Sequence, residues 1–164
     1  MTAAYLYDGF FALRTDIVRY YAACAVLEIC DALLVEEGES RALFIAAAEA
    51  LKGLSLTDGD AAELLVGFCV AALHEAGYML DLDGCGVCGG EVKGNVYFDF
   101  DAGYFTCTAC ASGVRASGAT YETLRKCAGL AYDEEKTAGG LKRALRLIRT
   151  YLAEKTEEEY PCFG

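Results

Sequence analysis

Apolar residues recur at alternating steps of three and four positions over much of the first half of the chain, which is the spacing of one face of an α-helix. The first stripe predicts a long helix that begins at Phe10, reaches about Val35 and turns the stripe toward the core. The acidic residues and glycine at positions 36–39 are expected to end this helix. The stripe consists of Leu13, Ile17, Tyr20, Cys24 and Leu27.

Two more helices are predicted in the first half of the chain. Ser40 is placed to cap an alanine-rich helix that ends near Gly53. Thr57 and Asp60 have the spacing of a capping box ahead of a third helix over residues 61–76, whose middle is apolar on every side and is therefore expected to be buried. The inner face of the alanine-rich helix consists of Leu43, Ala47, Ala50 and Leu54.

The residues after position 95 lose the helical spacing and become rich in aromatic and β-branched side chains. Two such runs, residues 96–100 and 104–106, flank a short turn that contains Gly103. This arrangement predicts a β-hairpin. Residues 112–117 are mostly small and polar, and we predict that they form a loop.

Two helices are predicted toward the C-terminal end. The first covers residues 121–130 and has a modest apolar content. The second begins near Ala138 and is amphipathic, with aliphatic residues inward and cations outward. The acidic tail from Glu157 is expected to fray. The inward residues are Leu141, Leu145, Ile148 and Leu152, and the outward residues are Lys142, Arg143, Arg146 and Arg149.

Together these elements predict a mainly α fold, a helical bundle with an inserted β-hairpin ribbon. The chain has 164 residues, of which 55% are hydrophobic, and this is enough material for one core. We therefore expect a single domain over residues 1–164. Its expected parts are a helical part (8–80), an inserted ribbon (81–117), C-terminal helices (118–156) and a flexible tail (157–164).

Two Cys-x-x-Cys pairs flank the predicted hairpin, Cys85 with Cys88 and Cys107 with Cys110. This spacing is typical of a zinc site, since both sulfurs of a pair reach one ion and the hairpin brings the pairs together. Four thiolates complete a tetrahedron, so we predict one structural zinc ion that stabilises the fold and leaves no position for catalysis. A four-thiolate iron site and a pair of redox-active motifs remain the alternatives.

The N-terminus lacks the basic region, apolar stretch and small-residue cleavage site of a secretory signal. The longest apolar run, residues 64–73, is about half as long as a membrane-spanning helix requires. We therefore expect a cytoplasmic protein without membrane contact, whose nine cysteines are reduced thiols and metal ligands rather than disulfides. The cysteines that stand alone, to which we assign no chemical role, are Cys24, Cys30, Cys69, Cys127 and Cys162.

Charge is distributed unevenly along the chain. The net charge is −11, and residues 1–84 carry four basic and fourteen acidic side chains, against ten and eleven in residues 85–164. A protein that binds nucleic acid through phosphates is expected to have a basic surplus, so we do not expect strong DNA binding by the chain as a whole. The outward cations of the last helix could contact phosphate or an acidic peptide, or simply be solvated.

Catalytic motifs are scarce. His74 is the only histidine, and neither a second histidine to serve a nucleophile nor a glycine-rich phosphate loop is present. Arg115 lies five residues after Cys110, where a zinc-finger GTPase-activating domain carries an arginine finger that stabilises transition-state charge. The longer cysteine spacing, the lack of tryptophan and the three preceding helices depart from that family. We predict a non-enzymatic protein and keep the GTPase-activating module as the alternative.

The order of these parts resembles the C-terminal helical and zinc-binding portion of the RecO family of bacterial DNA repair and recombination mediators. The resemblance covers roughly residues 8–155. The cysteine quartet is shared by many ribbons, but its place after a helix that runs into Gly77 and before a basic final helix makes the match specific. The matching segments are residues 10–14 (FFALR), 75–78 (EAGY), 85–89 (CGVCG), 107–110 (CTAC) and 141–145 (LKRAL).

The resemblance implies a protein that helps to load recombinase and anneals complementary strands. Its implied partners are RecR, single-stranded DNA and the acidic, apolar C-terminal tail of single-stranded DNA-binding protein. In the family the tail docks on the helical part, while DNA and RecR contact mainly an N-terminal oligonucleotide-binding β-barrel. Nothing ahead of Phe10 could supply that barrel, so we expect the chain to be the scaffold and protein-interaction half of a mediator. The implied location is the bacterial cytoplasm, at the nucleoid during repair.

Overall fold

The computed structural model describes residues 8–34, 40–56 and 58–163, and within them the chain forms five α-helices and one three-stranded antiparallel sheet. The predicted mainly α fold with an inserted hairpin is confirmed. The helices are α1 (Ile17–Leu33), α2 (Arg41–Leu56), α3 (Ala61–Glu75), α4 (Gly118–Cys127) and α5 (Leu141–Thr156). The strands are β1 (Asn95–Asp99), β2 (Tyr104–Thr106) and β3 (Val114–Ser117).

Helix α3 lies at the centre of the bundle, in contact with α1, α2, α4 and α5. Most of its apolar side chains are buried, among them Phe68 and Leu73, as the sequence predicted. Asp60 caps the helix itself, because its side chain accepts a hydrogen bond from the N–H of Ala62 at 2.8 Å. The predicted capping box, which gave the cap to Thr57, therefore has the wrong register, and Thr57 lies outside the described residues. Neither α3 nor any other helix in the described ranges is long and apolar enough to cross a bilayer.

Helix α2 agrees with its prediction at the N-terminus and on its inner face. The hydroxyl of Ser40 accepts a hydrogen bond from the N–H of Leu43 at 3.1 Å, which caps the helix. The helix continues past Gly53 to Leu56. On the predicted inner face, Leu43, Ala47 and Leu54 are buried and Ala50 is half-buried.

The start of the first helix differs from its prediction. A 3₁₀ turn, Phe11–Thr15, comes first, and α1 begins only at Ile17. The break occurs because Asp16 adopts an extended backbone and its side chain caps α1 through the N–H of Val18 at 2.9 Å. The predicted end near Val35 lies outside the described residues.

The inward stripe predicted for this helix is wrong beyond Leu13. Ile17, Tyr20 and Leu27 are 67%, 46% and 56% exposed, and Cys24 is half-buried. Helix α1 turns mainly small side chains toward α2 and α3. Small residues at such a contact let the helix backbones approach closely. The residues that it buries are Ala22, Ala23, Ala25, Val26 and Ile29.

Strand β1 is the centre of the sheet. It pairs with β2 in the predicted hairpin, with Phe98 opposite Phe105, and on its other side with β3, with Tyr97 opposite Arg115. The loop predicted over residues 112–117 is therefore wrong for residues 114–117. Strand β3 has no buried side chain, so its formation depends on backbone pairing with β1, which leaves little trace in the sequence.

The two C-terminal helices are confirmed with shifted bounds. Helix α4 begins at Gly118, because the hydroxyl of Ser117 caps it through the N–H of Thr120 at 3.2 Å. In α5, Ile148 and Leu152 are buried as predicted. The other two predicted inward residues, Leu141 and Leu145, are only half-buried, and α5 buries Ala144 and Tyr151 as well.

The C-terminal tail packs on the bundle, contrary to the prediction that it frays. Tyr160 and Phe163 are only 2% and 7% exposed, and a 3₁₀ turn, Pro161–Phe163, contacts α1. The N–H of Cys162 donates a hydrogen bond to Glu28 Oε2 at 3.1 Å. Apolar residues among the acidic ones therefore anchor this end, while Glu157 to Glu159 face solvent.

The apolar core runs through the bundle, the ribbon and the tail as one continuous cluster. The ribbon joins it through Phe98 of β1, whose ring meets that of Tyr151 of α5 edge-on with centroids 5.4 Å apart. The division of the chain into the parts named above remains a prediction.

Candidate metal centre and cationic helix face

Each cysteine pair lies in a tight turn at the end of the hairpin. In the first turn, the Cys85 carbonyl accepts the N–H of Gly89 at 2.8 Å, and the Cys85 N–H donates to the Gly90 carbonyl at 2.9 Å. In the second turn, directly after β2, the N–H of Cys110 donates to the Cys107 carbonyl at 3.1 Å. Pairing of β1 with β2 reverses the chain between the two turns, so the two pairs come together as their spacing predicted.

The four sulfur atoms of these turns form one cluster. The Sγ atoms of Cys85, Cys88, Cys107 and Cys110 all lie within 4.8 Å of one another, and those of Cys88 and Cys107 are 3.9 Å apart. Around a tetrahedral zinc ion with Zn–S bonds of about 2.3 Å, neighbouring sulfurs are about 3.8 Å apart. The donor set therefore fits one tetrahedral ion. No other such group of cysteine, histidine or carboxylate side chains occurs in the described ranges.

Cys85 is the most enclosed of the four cysteines, at 2% exposed. Burial acts to raise the pKa of its thiol, but hydrogen bonds from the backbone N–H groups of Cys107, Cys88 and Val87 outweigh it and bring the pKa down to about 6. The closest of these donors, the N–H of Cys107, lies 3.3 Å from the sulfur. Cys85 is thereby prepared as a thiolate, the form that binds a metal.

The pKa of Cys110 shifts in the opposite direction. Hydrogen bonding with the thiols of Cys88 and Cys107, followed by burial, raises the pKa of Cys110 to about 12, because a further negative charge beside these sulfurs is unfavourable. Four thiols this close cannot all ionise unless a cation lies among them. A divalent metal ion supplies that charge, so the cluster is chemically suited to metal binding.

The first cysteine turn packs tightly on β2, and Gly86 makes this possible. A Cβ atom at position 86 would lie 2.3 Å from the ring of Tyr104, so any side chain would push the turn away from the strand. The N–H of Gly86 also donates to the Phe105 carbonyl at 2.9 Å. The glycine therefore sets the position of the first cysteine pair relative to the hairpin.

Two side chains of α4 attach the ribbon to the bundle. The hydroxyl of Tyr121 donates to the Leu82 carbonyl at 2.8 Å and accepts the N–H of Gly84 at 2.9 Å. The Arg125 Nη1 also donates to the Leu82 carbonyl, and its Nε donates to the Ala131 carbonyl at 2.7 Å. These contacts fix the segment that leads into the first cysteine turn. Neither residue was predicted from the sequence, in which the spacing of one helical turn between them was the only available signal.

The outward cations of α5 border a groove. Lys142 and Arg146 are exposed, Arg149 is half-buried, and together they line a groove of about 660 Å³ between α5 and the C-terminal 3₁₀ turn. Leu145 and Phe163 give this groove an apolar wall, and one acidic residue, Glu154, lines it beside the three cations. The sequence placed these cations outward correctly, but it did not indicate the groove, because the second wall comes from the tail.

An apolar pocket of about 430 Å³ adjoins this groove, because Leu145 and Phe163 line both. Its other wall includes Ile17, Val18 and Tyr21 of α1, all of which are more than half exposed. A residue that the sequence placed in the core, Ile17, thus lines a surface pocket. Arg143, the fourth predicted cation, is exposed on α5 but lies outside both cavities.

The remaining candidates from the sequence lie apart from these sites. The side chain of His74 is 86% exposed, with its Nδ1 3.5 Å from Glu75 Oε1. Arg115 lies in β3 and its Nη2 donates to Asn95 Oδ1 at 2.9 Å, so its guanidinium is held against the sheet. Of the single cysteines, Cys69 is buried and the others are half-buried.

Comparison with known proteins adds two findings. A sequence model of the family described as "Recombination protein O C terminal" matches residues 14–161. The chain is also similar to a protein named DNA repair protein RecO from Desulforamulus reducens, with 31% identity over 113 residues, which is 68% of this chain and 43% of that protein. The chain thus matches less than half the length of this relative.

Proposed function

Because the chain belongs to the recombination protein O family, we propose that it acts in DNA repair and homologous recombination. In this proposal it is the scaffold and protein-interaction half of a mediator that loads recombinase and anneals strands. It works by binding rather than by catalysis, in the bacterial cytoplasm. Its proposed partners are RecR and single-stranded DNA-binding protein.

One zinc ion, held by the four clustered cysteines, is structural in this proposal. The support is the gathering of the four sulfurs within 4.8 Å and the lowered pKa of Cys85. With all four positions of the tetrahedron taken by protein sulfur, the ion has no place for water or substrate. Its contribution is to hold the two turns and the strands between them in one arrangement.

We assign the C-terminal tail of single-stranded DNA-binding protein to the α5 groove and the apolar pocket beside it. The observation that carries this assignment is their continuity through Leu145 and Phe163. A peptide that is both acidic and apolar needs cations for its carboxylates and a dry pocket for its apolar side chains. Lys142 and Arg146 supply the cations, and the pocket walled by α1 supplies the apolar surface.

Single-stranded DNA is assigned mainly to other parts of the mediator. The net charge of −11 works against phosphate binding by this chain, because contacts with the nucleic acid backbone require a local basic surplus. The cations of α5 provide one such surplus, but they also border the groove assigned to the tail. Peptide and DNA are therefore expected to compete for this helix.

Peptide binding tests the assignment. A fluorescein-labelled copy of the tail is titrated with the protein at about 50 mM salt, where ion pairs are only weakly screened, and its anisotropy is followed. The double variant Lys142→Glu/Arg146→Glu should bind about tenfold more weakly, since two favourable charge contacts become repulsive. Ile17→Ser, which changes only the apolar pocket, should also weaken binding.

Arg143→Glu is the matched control, because it reverses a charge on the same helix outside the groove. It should change the affinity by less than about threefold, through long-range electrostatics alone. Each cation of the groove is therefore also reversed alone, in Lys142→Glu and in Arg146→Glu. Weakening by Arg143→Glu equal to that by these two single variants would rule out the groove, and unchanged binding in the double variant would remove α5 from the proposal.

A further inference from the structure

A separate groove of about 760 Å³ opens where α3 and α4 end, beside residues 78–83, which lead into the ribbon. It shares no lining residue with the α5 groove, the adjoining apolar pocket or the cysteine cluster. Its apolar lining includes Val70 and Leu80. Two further apolar lining residues, Met79 and Leu130, are 62% and 37% exposed. The groove therefore offers apolar surface that a partner would remove from water.

The charge of this groove is negative. Glu75, Asp81 and Asp83 line it together with one histidine, His74, whose Nδ1 lies 3.5 Å from Glu75 Oε1, and no lysine or arginine does so among the residues that the structure describes. The Arg125 Nη1 approaches Asp83 Oδ1 at 3.7 Å, but the Arg125 side chain is only 19% exposed and also donates to the Leu82 carbonyl. Its charge thus faces into the junction with the ribbon. The lining carboxylates are left to set the potential of the groove.

The ends of two helices add to this negative potential. Helices α3 and α4 both point their carboxyl ends at the groove, and each ends with a glycine of positive φ, Gly77 at 79° and Gly129 at 70°. A helix carries the equivalent of roughly half a negative charge at its carboxyl end. Convergence of two such ends with three carboxylates favours a cationic ligand.

We propose that this groove is the docking site for a basic, amphipathic segment of a partner protein, one that carries lysine or arginine beside one or two apolar anchors. The carboxylates would pair with its cations, and Met79 and Leu130 would cover its apolar side chains. An acidic peptide or a phosphate backbone is repelled here. The chain thus has two peptide grooves of opposite charge, and this second one is independent of the function proposed above.

A second copy of this chain is a weaker occupant. Its α5 carries the exposed cations Lys142, Arg143 and Arg146, which could reach such a groove. Two chains that each carry a net charge of −11 repel one another, however, so self-association is disfavoured at low salt. The experiment must still distinguish it from a separate partner.

Met79 provides a specific probe. The chain has two methionines, Met1 and Met79, so labelling methionine methyl groups with ¹³C yields two signals, and Met79→Leu identifies the one from the groove. The ligand is a synthetic helical peptide of leucine and lysine, roughly fourteen residues long. Its control replaces every lysine by glutamate. The Met79 signal should shift with the lysine peptide and stay in place with the glutamate peptide.

Affinity for the lysine peptide is then compared between two double variants. Asp81→Asn/Asp83→Asn removes two groove charges but keeps at position 81 the oxygen that accepts the N–H of residue 83 at 2.8 Å, and it should weaken binding about five- to tenfold. Asp31→Asn/Asp101→Asn removes two charges from exposed positions elsewhere and should change the affinity for the lysine peptide less than about twofold.

Three results would overturn the proposal. The Met79 signal could stay in place when the lysine peptide binds, or the two double variants could weaken binding equally, which would mean only non-specific attraction to an acidic protein. The Met79 signal could also shift with protein concentration alone while light scattering reports dimers. In that case the occupant is a second copy of this chain.

Discussion

The helical bundle and the ribbon are stabilised in different ways. In the bundle, α3 and α5 bury large aliphatic side chains completely, including Leu73, Ile148 and Leu152 at 0% exposed, and such burial is the main source of folding free energy. The strands of the ribbon have only three to five residues. A sheet of this size has too little core to be stable alone.

The ribbon therefore depends on contacts at both of its ends. At one end the four cysteine sulfurs meet. Toward the turn of the hairpin, Phe98 packs on Tyr151 of α5. Tyr121 and Arg125 of α4 hold the Leu82 carbonyl, three residues before Cys85. The comparison implies that metal removal should act mainly on the ribbon and loss of apolar volume mainly on the bundle. Four changes test this division, from the largest expected effect to the smallest.

Metal removal should have the largest effect, and it should be confined to the ribbon. With a strong chelator, or in Cys85→Ser/Cys88→Ser, amides of residues 95–117 should lose their protection from hydrogen exchange, because binding of a structural metal is coupled to folding. Amides of α3 should stay protected. Cys24→Ser, at a single half-buried cysteine, is the control and should leave the ribbon unchanged. Uniform loss of protection across the bundle would contradict the division.

Loss of core volume should have the next largest effect, and it should destabilise the bundle. Leu152→Ala removes a side chain that is 0% exposed and should lower the free energy of unfolding by about 2–5 kcal/mol, measured by denaturant titration. Leu27→Ala is the matched control. Leu27 is 56% exposed, so its truncation should cost less than about 0.5 kcal/mol. Similar losses in the two variants would mean that α1 buries the stripe predicted from its sequence.

Weakening the junction between the two regions should have an intermediate effect. Arg125→Met removes the hydrogen bonds to the Leu82 and Ala131 carbonyls and should cost about 1–3 kcal/mol, because hydrogen bonds from a charged donor are lost. The Tyr121 hydroxyl still donates to the Leu82 carbonyl in this variant. Hydrogen exchange should increase most at residues 82–90. Lys126→Met is the control, since it removes only the ion pair with Glu63 at 2.8 Å, within the bundle. If both variants changed hydrogen exchange in the ribbon equally, the contacts of Arg125 would not specifically hold the ribbon on α4.

The smallest expected effect is a change in stability at alkaline pH. Burial raises the pKa of Tyr151 to about 12, above the value of about 10 for an unfolded chain. Its contribution to stability is therefore fully present below pH 10 and is lost as the pH rises toward about 12. Tyr151→Phe should make the free energy of unfolding less dependent on pH in that interval. An unchanged slope would show that the pKa of Tyr151 is the same in the folded and the unfolded chain.

Much of the fold follows from local patterns in the sequence. Periodicity identified α3 and α5 because their inner faces carry most of their large apolar residues. It identified α2 from Leu43, Ala47 and Leu54, although this helix also exposes Phe44 and Leu56. It failed on α1, where the wider side chains such as Ile17 and Leu27 face solvent and alanines face the neighbouring helices. It also failed on β3, which is a strand only because β1 offers it a partner.

The candidate sites were likewise predictable from the sequence only where they depend on local patterns. The family was predicted from the order of the motifs and is confirmed by the match over residues 14–161. The cysteine quartet was recognisable because ligand spacing is a local property of the chain. The grooves were not predictable, since each brings together residues far apart in sequence. Phe163 with Leu145 is one example, and Met79 with Leu130 is another.

The sequence by itself thus determined the type of each main helix, the hairpin and the identity of the four clustered cysteines. These depend on side chains within a few positions of one another, where spacing has a direct geometric meaning. Only the tertiary structure decided which face of α1 is buried, that the tail is anchored by Tyr160 and Phe163, and that two grooves of opposite charge exist. Burial and surface shape depend on which elements meet in space, and helix packing settles that only when the whole chain has folded.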